Sequence, residues 1–468
     1  MYTDFQGCSL STFCIIVYIK LKFYPIVIVT LFQPLGNNYL NYFFKFLIYC
    51  KKMSGGLFMK QKKCFAILLL CALTAFHILW DRQFSSTDSS DFVPVLPEPV
   101  IQINAMEQTP NPLILHASYA CLMDAGSHRI LYSKNTDKKV PMASTTKIMT
   151  ALLALESNKL NDVVIASKKA AGMPKVHLGM QPGRQYYMKD LLYSLMLESH
   201  NDTAVAIAEH LGGSVSGFAA KMNQKAKLLG MSSTHFITPN GLDANGHYST
   251  ASDMCKLASY AIKNKDFLSL VQTKSHSFSD CSGKYHYSLT NHDAFLSYYE
   301  GALGIKTGFT GKAGYCFVGA AKKNGITLTS CVLASGWPPN KSFKWSDTKS
   351  LMDYGFFYFQ KTPLPVQNLA LAKIPVKDGK KKFVSLKPII PKETLTASFD
   401  SLKIVYRIPT ALCAPIRKNT PIGSISFYIN NKLFQKTEVF PSESIEKSCF
   451  SDTIEQVLNQ WMDIFCLS

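Results

Sequence analysis

The chain has no H-E-x-x-H string, no C-x-x-C pair and no compact cluster of His, Cys and Asp, so nothing in it has the spacing of a metal site. A Walker loop and a dinucleotide-binding glycine loop are also missing. Gly213-Ser-Val-Ser-Gly217 carries its serines at the wrong places for a G-x-S-x-G elbow. No cofactor and no metal is therefore expected. Acidic residues are few, 31 against 50 Lys and Arg, and the formal net charge is +19. Residues 1–63 hold eight lysines and one aspartate, +7 of that total, which leaves +12 for the rest. The remaining lysines are dispersed apart from a cluster at Lys377 to Lys382. With no basic patch interleaved with stacking aromatics, no nucleic-acid partner is expected; a basic surface suits anionic polymers and lipid headgroups. The 13 cysteines are scattered and several, such as Cys316 and Cys331, sit in apolar runs, which reads as buried free thiols.

Residues 64–80 lack Asp, Glu, Lys and Arg altogether and follow Lys60, Lys62 and Lys63. A basic start and an apolar run of that length read as a signal peptide or short membrane anchor over 59–80, with the lysines on the cytoplasmic side and everything after it outside. No small-x-small cleavage site follows, and Leu68-Leu-Leu-Cys71 lacks the small residue of a lipoprotein box, which favours an uncleaved anchor over secretion. Residues 1–58 are aromatic, Ile- and Asn-rich, with apolar runs broken by Lys20, Lys22, Pro25 and Lys45. They read as mis-assigned upstream translation or a disordered, apolar leader, because Ser54-Gly-Gly56 can be encoded by a purine-rich ribosome-binding sequence just before Met59. Native peptides from 1–58 in a mass spectrum would contradict that start. Residues 81–112 contain a stretch rich in Ser, Asp and Pro, read as a linker.

Three short strings follow in order: Ser144-Thr-Thr-Lys147, Ser199-His-Asn201 and Lys306-Thr-Gly308. Each is weak alone. S-x-x-K recurs at Ser346/Lys349 and Ser444/Lys447 as a polar surface spacing. Ser144 differs in opening the run Ile148-Met-Thr-Ala-Leu-Leu-Ala-Leu-Glu156, apolar almost all round, which predicts a buried helix. A serine at its first turn has Oγ beside unpaired N–H groups, and a lysine three residues on lies on the same face. In an apolar interior near other cations, such a lysine loses part of its preference for the charged form and becomes a usable general base. The same string also serves as an N-cap followed by a solvated lysine.

Ser199-His200-Asn201-Asp202 interrupts two buried helical runs, Leu191–Leu197 and Thr203–His210; polar residues wedged there need partners, supplied by a cleft or by a capped helix–helix turn. Gly304-Ile-Lys-Thr-Gly308 precedes the small-residue run Ala313–Ala321, suited to a buried strand. Lysine and threonine on a strand edge beside glycine leave backbone open for an incoming peptide ending in a carboxylate, although K-T-G alone also reads as a turn.

The joint order S-x-x-K, S-x-N, K-T-G resembles that of the penicillin-recognising serine enzymes. The flanks are similar to the D-alanyl-D-alanine carboxypeptidase family, the low-molecular-mass penicillin-binding proteins. The matching strings are Met142-Ala-Ser-Thr-Thr-Lys-Ile-Met-Thr-Ala, Leu197-Glu-Ser-His-Asn-Asp-Thr-Ala, Thr238-Pro-Asn-Gly-Leu-Asp243, His247-Tyr-Ser-Thr-Ala-Ser-Asp253 and Gly304-Ile-Lys-Thr-Gly-Phe-Thr310. The resemblance runs from Ser118 to Phe359 and weakly on to Val439.

It implies an α/β (α+β) penicillin-binding, β-lactamase-like domain over 113–360, in which strands from both ends form one antiparallel sheet with helices packed on it and a helical insertion between them. A small all-β domain would follow at 361–445, then an amphipathic helix at 446–468 carrying Ile454, Leu458, Trp461 and Phe465 on one stripe, for the membrane surface or for packing. It assigns Ser144 as acylated nucleophile, Lys147 as base and Ser199 as proton relay. Asn201 would hold the substrate amide, Lys306, Thr307 and Gly308 the terminal carboxylate end, and the N–H groups of Ser144 and Phe309 the oxyanion.

Peptidoglycan stem peptides would be the substrate and β-lactams the inhibitors, at the outer face of the cell membrane. Two departures stand out: His200 replaces the family's usual Gly, bringing a titratable ring into the turn, and Phe309 occupies a variable place. His247, Ser249, Thr250 and Asp253 read as a turn and helix N-cap. Alternatives are a DD-endopeptidase, a β-lactamase, for which no E-x-x-L-N string lies between the second and third motifs, and an idle wall-binding scaffold, which the intact motif set argues against.

Overall fold

The computed structural model describes residues 13–21, 24–32, 100–363, 373–388, 393–449 and 452. The chain divides into two units, residues 1–92 and 93–468. In the first, Phe13–Leu21 pairs antiparallel with Tyr24–Phe32, both runs being rich in the β-branched and aromatic residues that favour strands. The expected signal or anchor at 59–80 and the apolar stripe at 454–465 lie outside the described residues.

In the second unit, β1 (Tyr119–Asp124) and β2 (Ile130–Lys134) form a hairpin around a turn at Asp124. The Asp124 carboxylate closes it by accepting from the N–H groups of Gly126 and Ser127 at 3.2 and 3.0 Å. The helical insertion comes next: α1 (Lys147–Glu156), α2 (Met188–Leu197), α3 (Asn201–Gly212), α4 (Val215–Leu228), α5 (Ala251–Ala261) and α6 (Lys265–Gln272). The chain then returns to the sheet as β3 (Ala302–Thr310), β4 (Gly314–Lys323) and β5 (Ile326–Leu333), and closes with α7 (Phe343–Tyr358). The sheet order is β3-β4-β5-β1-β2, antiparallel throughout, so strands from both ends of the domain share one sheet.

Alternation along β1 divides the core. Cys121 and Met123 join the helical-insertion side, with Ile148, Leu152, Leu257 and Cys331. Ala120 and Leu122 join the α7 side, with Phe317, Leu328, Leu351 and Met352. Both faces are covered, which is why the central strands read as continuous apolar runs. β3 is left as an edge. Cys121, Cys255, Cys316 and Cys331 are free and buried.

The expected helical insertion is not helical throughout. Residues between α1 and α2 form a small hairpin, Val163–Ile165 with Gln185–Tyr187, and only the short helix Lys168–Ala171. Val163-Val-Ile165 is β-branched, and Gly172, Pro174, Pro182 and Gly183 break any longer helix. A second hairpin pairs Ser275–Ser279 with His286–Thr290.

The expected all-β domain follows α7. Leu386–Pro388, Lys432–Pro441, Gly423–Ile429 and Leu402–Arg407 make a sheet whose remaining strand is Val100–Ile103. Residues 100–103, inside the stretch read as a linker, are therefore sheet: Val100-Ile-Gln-Ile103 has strand propensity and an edge to pair with. The helix expected from 446 also starts later than read, since Ile445 and Lys447 still bridge to Ile416 and Gly379. Arg129 of the β1–β2 hairpin reaches Asp400 at 2.7 Å and donates to the Leu395 carbonyl, tying this domain to the first.

Candidate active site

Ser144 lies in a single 3₁₀ turn, Ala143–Thr146, that runs directly into α1 at Lys147. The turn is tight enough to put Ala143 at φ +48°, a left-handed conformation that costs a non-glycine residue about 1 kcal/mol. Thr145 and Thr146 hold it by donating their hydroxyls to the Met142 and Ala143 carbonyls at 2.6 and 2.8 Å.

Lys147 is fully buried. Its Nζ is 2.9 Å from Ser144 Oγ and donates to Asn201 Oδ1 and to the Asn240 carbonyl, both at 2.8 Å. Those last two atoms can only accept. A neutral amine has two protons for them and keeps its lone pair for the serine hydroxyl. Burial, and then the nearby Lys306 ammonium, hold Lys147 well below the ordinary lysine range, against an opposing pull from Asp202.

Asn201 begins α3, with its amide Nδ2 donating to the Pro174 carbonyl at 3.2 Å and its backbone N–H to Val176 at 2.8 Å. Ser199 sits just before it at φ +69°, and its Oγ is buried with no hydrogen-bond partner. The His200 ring does not project into the cleft as a bulky obstruction. It is 5% exposed and turned to α2, where Nδ1 meets Ser194 Oγ at 2.8 Å and Nε2 meets Glu198 Oε2 at 3.3 Å. Burial lowers its pKa, with Asp202 and Glu198 opposing.

Lys306, Thr307 and Gly308 lie on edge strand β3, which packs on the Ser144 turn. A Cβ at Gly308 would stand 2.9 Å from Ser144 N and 3.1 Å from Ala143 Cβ. Only glycine allows that approach, and it brings the residue preceding Phe309 against the Ser144 backbone. Lys306 is 2% exposed, and burial lowers its pKa to about 8 against the pull of Asp293. Phe309 points outward, 42% exposed, beside Tyr315.

Three residues that the motifs did not single out hold this arrangement. Asp202 accepts from the N–H groups of Leu178, Gly179 and Met180 at 2.9, 2.9 and 3.1 Å, anchoring the loop whose carbonyls hold Asn201. Asn240 contributes the backbone carbonyl under Lys147. His247 accepts from Ile237 N–H at Nδ1, 3.0 Å, so Nε2 carries the proton facing Thr146 Oγ1, 3.0 Å away. Thr250 caps α5 through Asp253 N–H, as expected. The signal for Asn240 and His247 was their place in the Thr238-Pro-Asn-Gly-Leu-Asp243 and His247-Tyr-Ser strings, and for Asp202 its place in Leu197-Glu-Ser-His-Asn-Asp-Thr-Ala, which spacing alone does not connect to Ser144. The decoy strings stay apart: Ser346 donates to Phe343 O on α7, and Ser444 accepts from Lys418 N–H.

The profile of D-alanyl-D-alanine carboxypeptidases matches residues 105–336, and that of the penicillin-binding protein 5 C-terminal domain matches 359–447. The chain is 31% identical over 353 residues to D-alanyl-D-alanine carboxypeptidase DacF of Bacillus subtilis, covering 74% of this chain and 90% of that one. It is 30% identical over 382 residues to D-alanyl-D-alanine carboxypeptidase DacC of Escherichia coli, covering 76% and 92%. In fold it is similar to penicillin-binding protein 5 of Haemophilus influenzae, with a TM-score of 0.60 at 24% identity over 72% of this chain and all of the other.

Proposed function

Since the chain belongs to the D-alanyl-D-alanine carboxypeptidase family, we propose that it removes the terminal D-alanine of peptidoglycan stem peptides through an acyl-enzyme at Ser144. The observation that carries this reading is the hydrogen-bond set of Lys147. Its Nζ is held by two carbonyl-type acceptors and left facing the serine hydroxyl, in a site that disfavours its charge.

The peptide enters along the free edge of β3, with its terminal carboxylate on Lys306 and Thr307. The penultimate carbonyl oxygen takes the N–H groups of Ser144 and Phe309, donors whose loss costs about 10²–10³ in rate in enzymes that use them. Asn201 Nδ2 has a second hydrogen, beyond the one given to Pro174, for the substrate amide. Lys147 accepts the Ser144 proton as Oγ attacks. The tetrahedral adduct collapses as Ser199 passes its proton to the departing amine and takes in its place the one Lys147 received from Ser144, which gives the orphaned Ser199 Oγ its partner and restores the neutral lysine. Water then cleaves the ester, leaving the stem shorter by one residue.

β-Lactams acylate the same serine as carboxylate-bearing mimics of the substrate. The family works outside the cytoplasm, and the apolar run at 59–80 is read as its tether. Among the described residues no helix is long and apolar enough to cross a membrane. Incubating the full chain with a labelled penicillin and mapping the adduct tests the assignment: label on the peptide containing Ser144 supports it, and label elsewhere or none contradicts it.

A further inference from the structure

A buried carboxylate that the proposed chemistry does not use lies against β3 beside Gly304, close enough for its charge to act on Lys306. Asp293 is 8% exposed. Its Oδ1 accepts from Phe295 N–H at 3.0 Å, and its own N–H donates to Asn291 Oδ1 at 2.9 Å. Oδ2 is buried and has no donor. That bare oxygen lies against Gly304, where a Cβ would be 3.4 Å from Oδ2 and 3.5 Å from Val271 Cγ2 of α6. Strand parity puts residues 304 and 306 on the same face of β3. The carboxyl thus packs against the strand at van der Waals range of position 304, two residues from Lys306.

The charges whose fields reach Asp293 are Lys306 on β3 and Lys344 on α7, while α6 presents the uncharged Val271. Lys306 in turn faces Lys147 of α1.

Resting on the carboxypeptidase reading, we propose that Asp293 is a positioning residue that sets the charge of the substrate-carboxylate pocket, and that it takes up a proton from solvent when a peptide carboxylate docks on Lys306. The reason is the count of charges in a closed space. With Asp293 ionised, the Lys306 charge is already offset, and a second carboxylate would share one ammonium with it. Two carboxylates at one site do not both ionise readily, and the one with an unsatisfied oxygen is the cheaper to protonate. Burial has already raised Asp293 to about 7, against the pull of Lys306 and Lys344, so the proton is gained near neutral pH. Lys306, at about 8, is mostly cationic at pH 7 and takes up its remaining proton as a carboxylate docks, so the carboxylic-acid band is what reports Asp293. Gly304 leaves room for this arrangement and Asn291 fixes its backbone.

The test uses the full chain carrying Ser144→Ala, so that a diacyl-Lys-D-Ala-D-Ala peptide binds without turnover, beside the same peptide as its C-terminal amide. Calorimetry in buffers of different ionisation enthalpy counts protons, and infrared difference spectra read the carboxylic-acid C=O band. Expected is binding of the acid that weakens about tenfold from pH 6 to pH 8, following the protonated fraction. Net proton uptake and a new carboxylic-acid band at pH 7.5 should accompany it, and the band should be absent when Asp293→Asn is added. The carboxylic-acid band is read with Asp293 in place and is silent to protonation of Lys306, so a poorly folding Asn variant does not decide the matter. Acid binding with no proton uptake and no new band overturns the inference and leaves the functional reading standing. Equal binding of acid and amide, or binding of neither, removes the carboxylate pocket itself and the inference with it.

Discussion

Lys147 Nζ stands 2.9 Å from Ser144 Oγ, one turn along the chain, with the lysine fully buried at the start of α1. In the proposed mechanism this pair is the chemical centre, and its neighbours are arranged around the needs of an uncharged amine.

The pH dependence of acylation follows from that pair. Burial and Lys306 depress the Lys147 pKa, so its base form is populated at a lower pH than for an ordinary lysine and is lost as pH falls through the depressed value. The second-order rate of penicillin acylation should therefore climb with pH on its acid side. Lys147→Arg, which cannot deprotonate, should lose about 10²–10⁴ of the rate at all pH values. Stopped-flow acylation between pH 5 and 9 checks this; an Arg variant with near-native rate would remove Lys147 as base.

Gly308 is a steric prediction. A Cβ 2.9 Å from Ser144 N must push β3 off the nucleophile turn, and a displacement near 1 Å costs about 10²-fold in rate. Gly308→Ala should lose acylation on that scale while circular dichroism stays native. Unchanged acylation would mean that the turn yields freely.

His247 gives an acid-stability prediction. Burial, helped by His235, lowers its pKa to about 4. Between 4 and the unfolded value near 6.5 the unfolded chain binds more protons, so stability falls as pH drops through that window, by about 3 kcal/mol in all. Denaturant titrations at pH 7 and pH 4.5 should show a larger loss in the native chain than in His247→Gln, whose side chain does not titrate. Equal losses would place the acid sensitivity elsewhere.

Arg129 supplies the junction between domains. Its partner Asp400 has a side chain only 1% exposed, and stripping one member from a buried pair costs about 3 kcal/mol. Arg129→Ala should lower the melting temperature and speed proteolysis near residue 395, with penicillin acylation retained at low temperature. Proteolysis at the native rate would contradict a structural role for the junction.

How much of this was legible in the sequence depends on the range of each contact. Ser144 and Lys147 were readable because a helix fixes the geometry of residues three apart, and the buried run after them identified that helix. Lys306 was readable as a lysine beside glycine before a buried strand. The Val163–Ile165 hairpin was missed because its partner lies some twenty residues away, past Pro and Gly breaks, so the surrounding helices dominated the reading. Asp202, His247 and Asp293 act through partners brought near by the fold alone, and no local pattern distinguishes a buried carboxylate with a bare oxygen from a surface one. The His200 ring was read as entering the turn; its direction is set by Ser194 on a neighbouring helix, which sequence does not reveal.

The most direct test of the account is D-alanine release from a diacyl-Lys-D-Ala-D-Ala peptide by the full chain, run beside Ser144→Ala. The account predicts release by the native chain and none above background from the variant. Release that persists in Ser144→Ala, or none from the folded native chain, would contradict it.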